Sequence, residues 1–180
     1  MEEGVNTLKK MLGEDRREAI LSWLENSSEP ISGAELAKRT KVSRQVIVQD
    51  ISLLRAMNET IISTPQGYLM VKEGSKRPRR VIACKHTKEQ AELELITLVD
   101  FGVSVIDVIV EHPIYGELTG SLHLNSRFDV EKFVQKLKTT DARMLSGLTN
   151  GLHLHTIEAD TTEQLTKAAE ALEKLGILVS

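Results

Sequence analysis

Two histidines one residue apart, His153 and His155, lie in the otherwise apolar run "GLHLHTI" at residues 151–157. In a β-strand alternate side chains share a face, so both imidazoles point the same way with Cα atoms about 6.6–6.8 Å apart, twice the rise per residue. Two ring nitrogens starting from that separation can meet one ion at zinc–nitrogen distances of about 2.0–2.1 Å. All five histidines (His86, His112, His123, His153 and His155) fall after residue 80. His86 closes the apolar run "RVIACKH" and can approach the pair from the side. Glu92 and Glu94 flank the apolar stripe of the helix that follows, and either carboxylate can complete the set; periodicity does not choose between them. Cys84, the single cysteine, is a further conceivable ligand. Solvated or core-packed histidines are the plain alternative. "EHPIYGEL" sets His112 and Tyr115 in a turn at a strand end, where binding groups are often carried, although Pro113 and Gly116 also suit a simple turn. His123, in "SLHLN", reads as a strand-face residue.

The elements that must hold these residues follow from hydrophobic spacing. "RVIACKH" reads as a strand. "TKEQAELELITLVDFG" reads as a helix with Thr87 as cap and Ala91, Leu95, Leu98, Val99 and Gly102 along one stripe. "VSVIDVIVEHP" and "YGELTGSLHLN" are strands joined by "HPIYG". "FDVEKFVQKLK" is an amphipathic helix with Phe128, Val130, Phe133, Val134 and Leu137 apolar, "GLHLHTIEA" a strand, and "TTEQLTKAAEALEKLG" a helix capped by Asp160 or Thr161 and stopped at Gly176. Strand, helix, strand, strand, helix, strand, helix implies an antiparallel or mixed sheet with helices on one face, an open-faced α/β sandwich.

The first 80 residues read differently. "DRREAILSWLE" spaces Ile20, Leu21, Trp23 and Leu24 as a helix that "NSSEP" ends. In "ISGAELAKRTKV", Ser32 and Glu35 form a capping-box pattern. Ser43 caps "SRQVIVQDISLLRAM", where Ile47, Ile51 and Leu54 recur at helical spacing. Ile61–Ser63 and Tyr68–Val71 then flank the turn "TPQG". Three helices, a short turn around Lys41–Val42 and a hairpin make a winged helix-turn-helix. With Ile47, Ile51 and Leu54 facing inward, Arg44, Gln45, Val48 and Gln49 project from the half of the third helix that enters the major groove. Arg44 suits guanine, Gln45 or Gln49 adenine, and Val48 a thymine methyl. Lys38, Arg39 and Lys41 are placed for backbone phosphates.

Charge divides the same way. Residues 1–80 hold 14 Lys/Arg and 11 Asp/Glu, a net +3, while residues 81–180 hold 9 and 15, a net −6. Only the first module suits a polyanion. The expected organisation is an α+β two-domain chain: a DNA-binding domain at 1–72, a basic linker at 73–80 within "KEGSKRPRR", and a second, acidic domain at 81–180 that holds all five histidines. One cysteine excludes an intrachain disulfide framework. No apolar run reaches the roughly 20 residues of a membrane helix, and the acidic start has no signal-peptide pattern, so a cytoplasmic protein with no membrane partner is expected.

Together, the winged helix-turn-helix and the series "KH", "ELE", "EHPIYGEL" and "LTNGLHLHTI" resemble the niacin-responsive repressors, the NiaR family, whose second part is the three-histidine (3H) domain. The resemblance spans almost the whole chain. It implies an HPr-like second domain and a homodimeric repressor of NAD-biosynthesis or niacin-uptake genes that binds double-stranded operator DNA with nicotinic acid as co-repressor. It also implies a divalent transition metal (zinc, nickel or iron) held by His86, Glu94, His153 and His155. His112 belongs to the family pattern without an assigned role, and His112 and Tyr115 are carried as candidate ligand contacts. Two other functions fit the residues: a regulator whose effector is the metal itself, and a metallohydrolase fused to a DNA-binding module.

Overall fold

A computed structural model describes residues 12–71, 77–140 and 142–179. The chain forms two compact units divided at residue 73.

In the first unit, α1 (Gly13–Glu25), α2 (Gly33–Thr40) and α3 (Arg44–Ala56) precede an antiparallel hairpin of β1 (Ile61–Ser63) and β2 (Tyr68–Met70). Ser32 Oγ accepts the Glu35 N–H at 3.1 Å and Ser43 Oγ the Val46 N–H at 3.4 Å, satisfying donors that a helix start leaves open. The expected capping box on α2 does not close. Glu35 turns instead to Arg39, whose Nε lies 2.8 Å from Oε1. Lys41 ends α2 in the left-handed region (φ 56°) and, with Val42 and Ser43, makes the turn into α3. Ile20, Leu24, Leu36, Ile47, Ile51 and Leu54 form the core with Ile61 of the wing. The wing is tied down twice. Ile31 and Tyr68 exchange backbone hydrogen bonds of 2.8 Å, and Gly67 (φ +151°) permits this because a Cβ there would lie 2.3 Å from the Ile31 oxygen. Arg55, near the end of α3, donates from Nε to the Ile61 carbonyl at 2.7 Å and from Nη2 to Ser63 Oγ at 2.9 Å.

The second unit contains β3 (Arg79–Lys85), α4 (Ala91–Asp100), β4 (Ser104–His112), β5 (Gly116–Leu124), α5 (Arg127–Thr139), β6 (Leu152–Glu158) and α6 (Thr162–Lys174), with short 3-10 turns at Lys88–Gln90 and Leu145–Thr149. The sheet order is β3-β6-β4-β5 and every pairing is antiparallel. Leu95 and Leu98 of α4, Val130 and Val134 of α5, and Leu165 and Leu172 of α6 pack with Ile82, Val105 and Ile157 of the sheet in one core. This is the open-faced α+β arrangement expected. Thr87 and Gln90 close a capping box ahead of α4, and Thr161 and Gln164 close another ahead of α6.

Three local expectations are corrected. Arg79 and Arg80 belong to β3 rather than to a linker: Arg79 pairs in register with Glu158, its Nε 2.7 Å from Oε2. Arg77 reaches the same buried carboxylate at 3.2 Å and Asp160 at 2.9 Å, so these arginines serve the fold. The rest of the basic stretch, residues 72–76, lies outside the described residues. Gly102 lies past the end of α4 at φ +71°, where it stops the helix instead of lining its stripe. Phe128 is 61% exposed beneath Lys132 Nζ, 4.1 Å from its ring centroid, and leaves the core of α5 to Val130 and Val134.

Candidate functional site

The register of β3 against β6 sets Cys84 opposite His153 and Ile82 opposite His155. All four side chains therefore share the helix-facing side of the sheet. His86 follows β3, and α4 lays Glu94 over the pair. Glu94 is 1% exposed, whereas Glu92 points to the surface with Lys138 Nζ at 3.6 Å. The fold thus separates two acids that periodicity left equivalent.

Glu94 Oε2 lies 2.7 Å from His86 Nε2 and 3.4 Å from His155 Nε2, and His153 Nε2 is 3.3 Å from each carboxylate oxygen. Donor atoms of His86, Glu94 and His153 all lie within 4.8 Å of one another, and His155 joins through Glu94. The other nitrogen of every ring faces a backbone carbonyl: His86 Nδ1 to Thr87 at 2.7 Å, His153 Nδ1 to Gly151 at 2.8 Å and His155 Nδ1 to Asp107 at 2.5 Å. A carbonyl only accepts, so each Nδ1 carries a proton and donates, and each Nε2 is aimed at the centre, where it donates to Glu94 when the ring is protonated and offers a lone pair when the ring is neutral. With all three rings neutral, three lone pairs and a carboxylate meet at one point. Consistently, the buried Glu94 Oε1 has no hydrogen-bond partner. Such a set fits a cation, and imidazoles oriented by carbonyls are the usual support of a metal site. Burial opposes ionisation of Glu94, but His153, His155 and His86 overcome it and hold its carboxyl well below the usual range. Burial likewise disfavours charge on His86 and His155, yet Glu94 raises both. Cys84 is fully buried, and burial together with Glu94 pushes its thiol far up. It stays a protonated packing residue.

Gly151 makes this arrangement possible. Its φ is +86°, and a Cβ would stand 2.2 Å from the His86 oxygen. Asn150 and Gly151 turn left-handed in succession to start β6 against that carbonyl. Gly151→Ala should therefore cost about 2 kcal/mol or more through strain and collision and displace His86. An unchanged melting temperature would show that the turn can relax.

Beside His86 opens a cleft of about 720 Å³ whose lining includes Lys85, Lys88, Arg143, Met144 and Leu148. His86 belongs to both cleft and cluster. His112 and Tyr115 do not line it. They stand at the β4–β5 turn with ring centroids 4.9 Å apart, and His112 Nδ1 accepts the N–H groups of Ile114 and Tyr115. His123 sits at an irregularity in the β4–β5 register with φ 51°, and burial lowers its pKa.

In the first unit, Ile47, Ile51 and Leu54 are buried while Arg44, Gln45, Val48 and Gln49 are exposed on α3. Lys38, Arg39 and Lys41 are exposed nearby, although Arg39 is already engaged by Glu35 and by Trp23, whose ring centroid is 5.4 Å from its guanidinium carbon. Sequence reasoning missed the pair beneath this face. Arg16 of α1 grips Asp50 of α3 with Nε–Oδ2 at 2.6 Å and Nη2–Oδ1 at 3.0 Å, and Arg16 is 8% and Asp50 2% exposed. The available signal was an acid beside Ile47 and Ile51 inside the apolar stripe.

Fold and site define a winged helix-turn-helix protein that carries a separate α+β domain with a buried histidine–carboxylate cluster. Residues 16–69 match an HTH domain and residues 79–180 the 3H domain. The chain is 47% identical over 173 residues to the transcription repressor NadR of Bacillus subtilis, covering 94% of this chain and 96% of that protein. It is 42% identical over 170 residues to the probable transcription repressor NiaR of Thermotoga maritima, covering 94% and 97%. The chain belongs to the 3H-domain family of transcription repressors. It is a DNA-binding repressor and not an enzyme, which removes the metallohydrolase reading. No helix among the described residues is long and apolar enough to cross a membrane.

Proposed function

We propose that this repressor acts on genes of NAD biosynthesis or niacin uptake, as a homodimer on operator DNA, with nicotinic acid as co-repressor and a divalent transition metal in the second domain. The observation that carries the reading is the convergence of three carbonyl-anchored imidazoles on Glu94 at the edge of a cationic cleft. His86, Glu94, His153 and His155 would hold the metal, which when bound supplies a Lewis-acidic position for a donor atom of the effector. The chain's own residues select the rest. Lys85, Lys88 and Arg143 favour a carboxylate, while Met144 and Leu148 offer apolar contact to a pyridine ring. The cleft volume falls within the range of about 300–1,000 Å³ usual for small-molecule sites. Nicotinamide, lacking the charge, should bind more weakly. Effector controls DNA affinity only by preferring the DNA-competent arrangement, and a tenfold change in operator affinity corresponds to about 1.4 kcal/mol of coupling.

The test is an operator-binding titration with nicotinic acid, nicotinamide and NAD, each with and without chelator. Tightening by nicotinic acid alone, lost on chelation, is expected; operator affinity indifferent to nicotinic acid would remove the co-repressor. A second reading, in which the metal is itself the effector, is favoured by the donor count, because three histidines and one carboxylate can close a tetrahedral site. It predicts a full response to metal without nicotinic acid.

On DNA, Arg44→Ala should lose about 1–3 kcal/mol of operator affinity and relax preference at one base pair, while Lys38→Ala should weaken all sequences alike and reduce the salt slope by about one. Fluorescence anisotropy on operator and scrambled duplexes separates the two. Equal losses on both duplexes for Arg44→Ala would place it on the phosphates.

A further inference from the structure

The tip of the β4–β5 hairpin has no role in the site described above, and its surface is unusual. Ile114 and Tyr115 at its tip are 80% and 73% exposed. The tip is nevertheless held in shape, because His112 Nδ1 accepts both of their N–H groups, at 3.2 and 3.3 Å. Behind it Glu111 and Glu117 stand directly opposite each other in the register. Both are exposed, and neither forms a salt bridge with a described residue. Like charges in directly opposed positions weaken a hairpin. A rigid apolar tip on an uncompensated acidic stem calls for a cationic, partly apolar receptor.

The His86 cleft has that chemistry. Lys85, Lys88 and Arg143 line it with no Asp or Glu among its lining residues, and Met144 and Leu148 supply apolar surface. Lys85 ends β3 opposite Leu152, which starts β6. Because β4 runs antiparallel to β6 and ends at His112, tip and cleft occupy the same end of the sheet. The cleft lies toward the β3–β6 side and the tip toward the β4–β5 side. A two-fold axis between two copies can therefore seat both tips at once, as an isologous contact requires.

We propose that the hairpin tip of one copy of this chain, Ile114 and Tyr115 flanked by Glu111 and Glu117, docks in the basic cleft beside His86 of a second copy. The two clefts are then each completed by the other chain. The contact uses the same cleft that the effector reading gives to nicotinate, so tip and effector would share it, and its test requires neither metal nor nicotinic acid.

The experiment is sedimentation velocity over a concentration series on four samples of the full chain: wild type, E111K/E117K, K88E/R143E and an equimolar mixture of the two variants. All four substituted positions are exposed, and matched circular dichroism melts confirm folding. Wild type should dimerise, and each variant alone should associate at least about tenfold more weakly, since it sets like charges together in both contacts. The mixture should recover a heterodimer of near wild-type affinity, because each reversed tip then meets an oppositely charged cleft. A monomeric wild type, variants that dimerise as wild type does, or a mixture no stronger than its components would each overturn the proposal.

Discussion

Glu94→Gln should leave the metal-free protein at least as stable as metal-free wild type while removing most of the stabilisation that metal confers. Without a cation, and at a pH where the three rings are neutral, the cluster presents acceptors only, because each ring spends its Nδ1 proton on a carbonyl and Glu94 Oε1 is left without a donor. Buried unsatisfied acceptors are costly. Glutamine brings two N–H donors into the same volume and removes a buried charge, so it relieves the metal-free state and impoverishes the loaded one. At a hundredfold excess over Kd a bound metal adds about 2.7 kcal/mol, which for a domain of this size raises Tm by about 11–22 °C. Wild type should show that rise with zinc or nickel and lose it on chelation, whereas Glu94→Gln should show less than half of it. Parallel thermal melts, with metal content measured on the same samples, decide the matter. Equal responses from the two proteins would take Glu94 out of the ligand set.

What could be read from the chain alone follows a physical division. His153 and His155 were assignable to one face because the strand period is two, whereas Cys84 comes beside them through the register of β3 on β6. Winged-helix order was legible for a similar reason: Ser32, Ser43 and the apolar spacing of Ile47, Ile51 and Leu54 are local signals. The choice between Glu92 and Glu94 was not local. Two acids two residues apart flank the same stripe, and only the packing of α4 on the sheet buries one of them. Arg77 and Arg79 looked like linker because their partner, Glu158, lies 79–81 residues away on a neighbouring strand. The resemblance to the niacin-responsive repressors named Glu94 where periodicity stopped, but it could not show the three Nδ1–carbonyl bonds that aim the rings. Those depend on the carbonyls of Thr87, Gly151 and Asp107, about which side-chain patterns say nothing.

Asp50→Ala should lower the stability of the winged helix by roughly 3 kcal/mol, a third or more of its total, with weakened DNA binding as the consequence. Removing one partner of a buried ion pair takes the countercharge from the other, at a cost of roughly 3 kcal/mol, the lower end of the usual range. A domain of about 60 residues has only about 3–9 kcal/mol of stability in total. Arg16 is held by both carboxylate oxygens, and Arg17 Nη1 stands 3.7 Å from Oδ1, so truncating Asp50 takes one carboxylate from two arginines. Replacing the pair together, Arg16→Met with Asp50→Leu, should restore the melting transition, because apolar side chains can fill the space without a desolvation cost. The restored variant then isolates a second effect. The ion pair fixes the rotation of α3 against α1, and with it the direction in which Arg44, Gln45 and Gln49 project. If that matters, the folded double variant should keep its affinity for nonspecific DNA while discriminating less well between operator and scrambled duplexes. A double variant with full discrimination would make the pair a stability element alone, and an Asp50→Ala loss within about 0.5 kcal/mol would mean that Arg16 is satisfied without this carboxylate.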